Sequence, residues 1–358
     1  MSKRIDIIAG ARPNFMKIAP IIEALRETPL KVRLIHTGQH YDPNLSDTFF
    51  EQLGIPAPDV NLGVGSGSPA EQTGAIMVGY EKVLQQKPTD FCLVVGDVTS
   101  TMACTITAKK MNVRCGHVEA GIRSGDLAMP EEINRMVTDA LCDLFFTTSE
   151  TANAHLRRAG IEDARIHFVG NTMIDTLLKQ RQNFTPPDCW DELQLQPDSY
   201  VVLTLHRPNN VDATRHLADT LDAILAACPC PVIFPVHPRT RKMLDELNHP
   251  HPQLHLLPPL PYLSFNYLVE HAKAVITDSG GITEETTVLG IPCLTLRDNT
   301  ERPETVTIGT NELVGTDPAK IAPHLERLFS GGWKTGAIPA LWDGHTGPRI
   351  AAILAREV

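Results

Sequence analysis

Short, continuously apolar runs alternate with amphipathic stretches from residue 5 to residue 170. The runs at 5–10, 32–37, 91–96, 113–119, 144–148 and 166–170 are rich in Ile, Val, Leu and Phe and predict strands. Stretches at 20–27, 70–86, 101–111 and 149–160 have helical spacing. Strands that are apolar throughout and separated by helices predict a parallel sheet covered on both faces. The rhythm breaks at 180–198, QRQNFTPPDCWDELQLQPD, which is polar and holds three prolines. It resumes with strand-like runs at 200–206, 231–237, 254–258, 274–279 and 293–297. The pattern predicts an α/β chain of two Rossmann-like, doubly wound domains facing a cleft. The expected boundaries are 1–171 and 172–345, with an amphipathic helix at about 346–358 packing back on the first domain.

In such folds ligands bind beyond the carboxyl ends of the strands. The residues there are Arg12, His36 to His40, Gly96-Asp97, Glu119, His206-Arg207, His237 and Asp278 to Gly281. In TDSGGITEE, Ser279, Gly280 and Gly281 would open a helix and aim backbone amides at an anion such as a pyrophosphate. The plain alternative is an ordinary Ser/Asp helix cap. Glu285, one turn on, could accept from ribose hydroxyls. In GARPNFMK, Arg12 and Lys17 are two cations suited to a diphosphate. Asp97 and Glu119 each end a strand, and Glu131 is close by in the chain. Crowded carboxylates push their pKa values apart, so one can act as acid and another as base. Arg123 and Arg135 can hold the others ionised, and His206 reaches the same place from the second domain as a side-chain type suited to acid/base work. For Arg123 and Asp126 the plain expectation is a salt bridge that shapes the loop.

Composition narrows the classes. The chain has 358 residues, 42% hydrophobic and 21% charged, with net charge −10. With no Lys/Arg block, a nucleic-acid partner is not expected. No apolar run approaches the roughly 20 residues of a membrane span. The first residues enter a strand at once, leaving no room for a signal peptide. The eight cysteines include no CxxC and read as reduced core thiols. A cytoplasmic protein is expected. There is no HExxH or DxD to suggest a metal and no GxGxxG to suggest a nicotinamide cofactor, so neither is expected.

Read in order, GARPNFMK, HTGQH, GDVTST, HVEAGIRSGD, PEEINR, LHRPNN, TDSGGITEE and RDNTERPE resemble the non-hydrolysing UDP-N-acetylglucosamine 2-epimerases over nearly the whole chain. The resemblance implies a glycosyltransferase-B-like fold, usually a homodimer, and reversible conversion of UDP-GlcNAc to UDP-ManNAc for surface polysaccharides. The implied route eliminates UDP to a bound 2-acetamidoglucal and adds it back as C2 is protonated on the other face. By similarity, Asp97, Glu119 and Glu131 are the acid/base candidates; which one removes the proton stays open. Arg12, Lys17, Arg135 and His206 would support phosphate and sugar. Ser279, Gly280, Gly281 and Glu285 would hold the nucleotide, with Phe265 near the uracil.

The chain departs from that pattern at Asn14, where the family commonly has an acid. Gln39, Gln72, Arg207 and His237 match a pocket that binds activating UDP-GlcNAc in some members. Glu71 and Asp42 depart from it, so weak or absent substrate activation is expected. The nearest rival is a 2-epimerase of UDP-2,3-diacetamido-2,3-dideoxyglucuronic acid; Glu301 to Glu304, ERPE, favours UDP-GlcNAc. A glycosyltransferase of the same fold explains the carboxylates poorly, and an inactive sugar-nucleotide sensor would be expected to lose them.

Overall fold

The structure, a computed structural model, describes residues 2–38, 54–211, 214–236, 238–247 and 250–358; the side chains of Arg12, Pro208, Asn209, Thr214, Pro238, Arg239 and Glu246 also lie outside the description. The chain divides into two units, Met1–Thr176 with Ala340–Val358, and Leu177–Pro339.

The first unit holds strands β1 (Arg4–Ala9), β2 (Lys31–His36), β3 (Val60–Asn61), β4 (Phe91–Val95), β5 (Arg114–Val118), β6 (Leu144–Thr147) and β7 (Ile166–Phe168). They form one sheet in the order β3-β2-β1-β4-β5-β6-β7, parallel throughout. The connecting helices are α1 (Arg12–Leu25), α2 (Pro69–Gln86), α3 (Thr99–Lys110), α4 (Pro130–Leu141), α5 (Glu150–Arg158) and α6 (Thr172–Gln180). Strand order reverses between β1 and β4, which makes their carboxyl ends the switch point of the sheet. One core cluster joins Ile8, Val94, Cys104, Phe145 and Leu156 from strands and helices. Asp6 in β1 stands opposite Arg33 in β2 and takes a two-pronged pair from it at 2.7 and 2.7 Å, with the Tyr80 hydroxyl donating at 3.0 Å.

The second unit repeats the plan with β8 (Val201–Thr204), β9 (Val232–Pro235), β10 (Leu254–Leu257), β11 (Ala274–Thr277), β12 (Cys293–Thr295) and β13 (Asn311–Leu313). Their order is β10-β9-β8-β11-β12-β13, again parallel. Helices α7 (Thr214–Ala227), α8 (Pro238–Leu247), α9 (Tyr262–His271), α10 (Gly280–Leu289) and α11 (Ile321–Phe329) accompany them. Alternate residues of β8 enter different cores: Val201 and Leu203 one, Val202 with Tyr200 the other. That is why these strands read as unbroken apolar runs.

The chain then returns to the first unit as α12 (Thr346–Glu357). Trp342, 1% exposed, donates its indole hydrogen to the Thr148 carbonyl at 3.0 Å. A Cβ on Gly347 would sit 2.5 Å from the Pro20 carbonyl, so α12 reaches α1 only through a glycine. Among the described residues no helix is long and apolar enough to cross a membrane.

Two details differ from the sequence reading. Helix α1 begins at Arg12, not near Pro20, because Pro13 suits a first turn and Asn14 closes it. Strands β3 (Val60–Asn61) and β13 (Asn311–Leu313) hold one apolar residue each and so leave no apolar run to read.

Candidate active site

In the first unit, the loops after β1, β4 and β5 carry the predicted residues. The Asn14 side-chain oxygen accepts from the amides of Gly10 and Ala11 at 3.1 and 3.0 Å. Its nitrogen donates to the Val95 carbonyl at 3.0 Å, tying the loop after β1 to the end of β4. A carboxylate could accept there but not donate. This gives the departure at Asn14 a structural reason.

Glu119 is 3% exposed and has φ +70°, the left-handed region that a non-glycine residue seldom occupies. Its amide donates to the Phe146 carbonyl at 3.0 Å. Lys17 reaches from α1 and donates to Glu119 Oε2 at 2.9 Å. Asp97, after the neighbouring strand β4, pairs through Oδ2 with Arg135 Nη1 at 2.7 Å, and its carbonyl accepts from the Asn134 amide at 2.8 Å. Each carboxylate therefore has a cation from a different helix. Backbone strain at such a group is characteristic of functional sites.

Helix α4 buries its polar face. Glu132, Asn134, Arg135, Thr138 and Asp139 are buried, while Ile133 and Met136 are 48% and 45% exposed. Glu132 accepts from the amides of Ser124 and Gly125, both at 3.0 Å, and from Arg135 Nε at 3.0 Å. Burial alone would raise its carboxyl, but those amides and Arg135 hold it below the usual range. Glu131 sits exposed in the same first turn. Arg123 does not pair with Asp126; it pairs with Asp139 Oδ2 at 2.6 Å. Asp126 instead accepts from the Ala128 amide at 2.9 Å, a local turn bond that a side chain two residues away forms readily.

In the second unit, β8 and β11 flank the switch point. Asp278, 0% exposed, accepts from the amides of His206 and Arg207 at 3.1 and 2.9 Å and from the Asn210 side chain at 3.1 Å. His206 Nδ1 lies 2.7 Å from Asp278 Oδ1, and the imidazole is 52% exposed. Burial would raise the Asp278 carboxyl; His206, the Arg207 amide and Asn210 keep it low. A carboxylate on one ring nitrogen fixes the imidazole and leaves the other for proton transfer.

Helix α10 opens at Gly280 with Ser279 as its cap residue, and no side chain caps it. A Cβ on Gly281 would meet nothing within 4 Å. The first-turn amides are thus available to an anion. Arg297 holds Glu301 by two bonds of 2.8 Å, and Arg207 Nη2 lies 3.8 Å from it. Burial opposes ionisation of Glu301, yet Arg297 brings its carboxyl down to about 2. Glu285 accepts from the Tyr262 hydroxyl at 3.1 Å, and burial pushes its carboxyl up to about 7. Phe265, on the same helix as Tyr262, packs against the core that holds Leu268 and Val275.

Of the four residues matched to an activating pocket, Gln39 and His237 lie outside the described residues, as do Asp42 and the Arg12 side chain. Gln72 donates to the Gly65 carbonyl at 3.2 Å, and Arg207 Nε donates to the Asp278 carbonyl at 3.1 Å. Glu71 forms a capping box with Ser68, at 2.9 and 3.3 Å, which opens α2. Sequence reasoning gave no site role to Asn14, Glu132 and Asp139, and named Asp278 only as a strand-end residue. The signal for Asp139 was its polar neighbours at helical spacing, Glu132 and Arg135.

Comparison with known proteins agrees with the fold. The family model described as UDP-N-acetylglucosamine 2-epimerase matches residues 23–355. The UDP-N-acetylglucosamine 2-epimerase of Methanocaldococcus jannaschii is 39% identical over 365 residues, covering 98% of each chain. A crystal structure of that organism's UDP-GlcNAc 2-epimerase, in complex with UDP-GlcNAc and UDP, superposes with TM-score 0.87 over 99% of both chains at 39% identity. The UDP-2,3-diacetamido-2,3-dideoxy-D-glucuronate 2-epimerase of Pseudomonas aeruginosa is also 39% identical, over 317 residues, covering 87% of this chain and 88% of its own. The extent of these matches places the chain in the UDP-N-acetylglucosamine 2-epimerase family.

Proposed function

We propose that the protein interconverts UDP-N-acetylglucosamine and UDP-N-acetylmannosamine by eliminating UDP and adding it back. The observation that carries this reading is the pair Asp97 and Glu119. They are two carboxylates after adjacent strands, one held by Arg135 at 2.7 Å and the other by Lys17 at 2.9 Å.

The C2 hydrogen of the sugar is not next to a carbonyl, so its direct removal is unfavourable. In the elimination, a carboxylate takes the C2 proton as the bond from C1 to the phosphate oxygen breaks. UDP leaves with the electron pair, and a 2-acetamidoglucal remains. Re-addition of UDP at C1, with proton delivery to the other face of C2, completes the epimerisation. Asp97, Glu119 and Glu131 are the candidate proton carriers, with His206 as a further acid/base. Arg12, Lys17, Arg135, the Ser279 side chain and the first-turn amides of Gly280 and Gly281 would stabilise the departing diphosphate, the Ser279 amide being taken by the Thr277 hydroxyl at 3.0 Å. Glu285 would take the ribose and Phe265 the uracil.

Incubation with UDP-GlcNAc in D₂O tests the reading. UDP-ManNAc carrying deuterium at C2 is expected, and no exchange would refute it. The Pseudomonas relative matches at the same 39% identity, so the diacetamido-uronic substrate is run in parallel as the second reading. Substrate activation is expected to be weak, since Glu71 is committed to its capping box. Sigmoidal kinetics would overturn that expectation. The apolar outer side of α4, Ile133 and Met136, together with Leu127 at 65% exposure, supports a homodimer, measurable by light scattering. Eight free thiols support a cytoplasmic enzyme.

A further inference from the structure

The loops of Asp97 and Glu119 share a support beneath them. His117, 0% exposed, lies on β5 two residues before Glu119. Its Nε2 donates to the carbonyl of Gly96, the residue before Asp97, at 2.8 Å. Its Nδ1 lies 2.7 Å from Asp139 Oδ1. The other oxygen of Asp139 accepts from the amide of Gly121, two residues after Glu119, at 3.0 Å, and pairs with Arg123 at 2.6 Å. One buried hydrogen-bonded chain therefore runs from the backbone before Asp97 to the backbone after Glu119.

Both ends need such a hold. Gly96, Glu119 and Gly121 have φ of +71°, +70° and +76°, all in the left-handed region. The chain shares helix α4 with the clasp on Asp97. Asp139 follows Glu132 and Arg135 on one face of α4, at the seven- and four-residue spacing that brings helix side chains together. A core that only needed filling would take an apolar side chain here. An imidazole and a carboxylate buried together, with a half-buried guanidinium against them, cost desolvation that only specific geometry justifies. Burial would raise the Asp139 carboxyl, but His117 and Arg123 keep it below the usual range, so this carboxyl stays ionised.

We propose that His117 is a positioning residue: through Gly96 and Asp139 it fixes where Asp97 and Glu119 stand for proton transfer, without touching the substrate. The proposal rests on the epimerase reading above. Misplacement of reacting groups by about 1 Å costs on the order of 10²-fold in rate, which sets the expected size.

The test compares His117→Phe, His117→Gln and Asp139→Asn in the full chain. Phe keeps a ring of similar size and removes both hydrogen bonds. Its kcat for UDP-GlcNAc is expected to fall about 10²-fold, with KM and UDP affinity changed by less than about twofold. Gln, which still donates an amide hydrogen, should recover part of the rate. The double variant His117→Phe/Asp139→Asn should be no slower than His117→Phe, since the two act as a unit. Where His117→Phe does not fold, Asp139→Asn carries the same comparison. A crystal structure of the variant supplies a readout that needs no substrate: the Gly96–Asp97 peptide or the Glu119 backbone should move. Wild-type kcat, a loss in KM alone, or unmoved Gly96, Asp97 and Glu119 would overturn the proposal. Failure of the epimerase reading looks different, because the wild-type protein itself would leave UDP-GlcNAc unchanged while the structural readout still judges the clamp.

Discussion

Glu285 links the stability of the second unit to pH in a direction opposite to most carboxylates. It is 4% exposed, its partner is the Tyr262 hydroxyl, and burial raises its carboxyl from 4.5 to about 7. A group whose pKa is higher in the folded than in the unfolded state binds its proton more tightly when folded. Its contribution is therefore fully present below 4.5 and is lost as pH rises through about 7. The gap between 4.5 and about 7, at roughly 1.4 kcal/mol per pH unit, amounts to about 3 kcal/mol. Glu285→Gln mimics the neutral form and keeps an acceptor for Tyr262. In urea unfolding the variant should exceed wild type by under about 1 kcal/mol near pH 5 and by about 3 kcal/mol near pH 8. Taking the difference between the two proteins cancels every other titrating group. The same advantage at both pH values would refute the claim that burial holds this carboxyl neutral. If ribose hydroxyls donate to Glu285, UDP favours the ionised form, so UDP affinity should also strengthen with rising pH up to about 7 in wild type and not in the variant.

Removing the ammonium in Lys17→Met leaves Glu119, 3% exposed, without that cation; kcat should fall on the order of 10²-fold or more with folding retained, and a change below about threefold would count against its role. Asp6→Ala strands the Arg33 guanidinium, 6% exposed, and should cost about 3–5 kcal/mol in thermal or urea unfolding; a loss under about 1 kcal/mol would show that the β1–β2 pair does not hold the sheet. Of the eight thiols, Cys230 alone is partly exposed, so native titration with a thiol reagent should modify one cysteine and none in Cys230→Ser. Rapid modification of two or more would mean that the cores open readily.

The strand plan was legible because both faces of each sheet are covered. Val201, Val202 and Leu203 enter two different cores, so β8 has no polar alternation to confuse it with a loop. Strand-end logic then pointed to Asp97, Glu119, His206 and Asp278, all of which lie where the chain leaves a strand. What periodicity could not reveal was who holds whom. Lys17 and Glu119 are 102 residues apart, and Asp97 and Arg135 are 38 apart. Nothing local in sequence encodes such pairings. In the sequence Asn14 is simply a departure from an acid, and its double use as acceptor and donor is visible only once β1 and β4 are neighbours.

Helix α4 shows where pattern reading fails for a physical reason. Hydrophobic periodicity assumes that the apolar stripe faces inward, yet here Ile133 and Met136 are exposed while Glu132, Arg135 and Asp139 are buried. Burying those charges is tolerable because each is answered: Glu132 by two amides and Arg135, Arg135 by Asp97, Asp139 by His117, Gly121 and Arg123. An ordinary core helix would have achieved the packing without that electrostatic cost. The inversion makes sense if the helix serves as the floor of a proton-handling site, where positions must be held by directional bonds and not by shape alone. The charges gathered around the ends of β4 and β5 and along α4 then divide the labour. In the proposed epimerase Glu119 and Asp97 would face the chemistry, whereas Glu132, Asp139 and His117 bond the backbone around them and Arg123 pairs with Asp139.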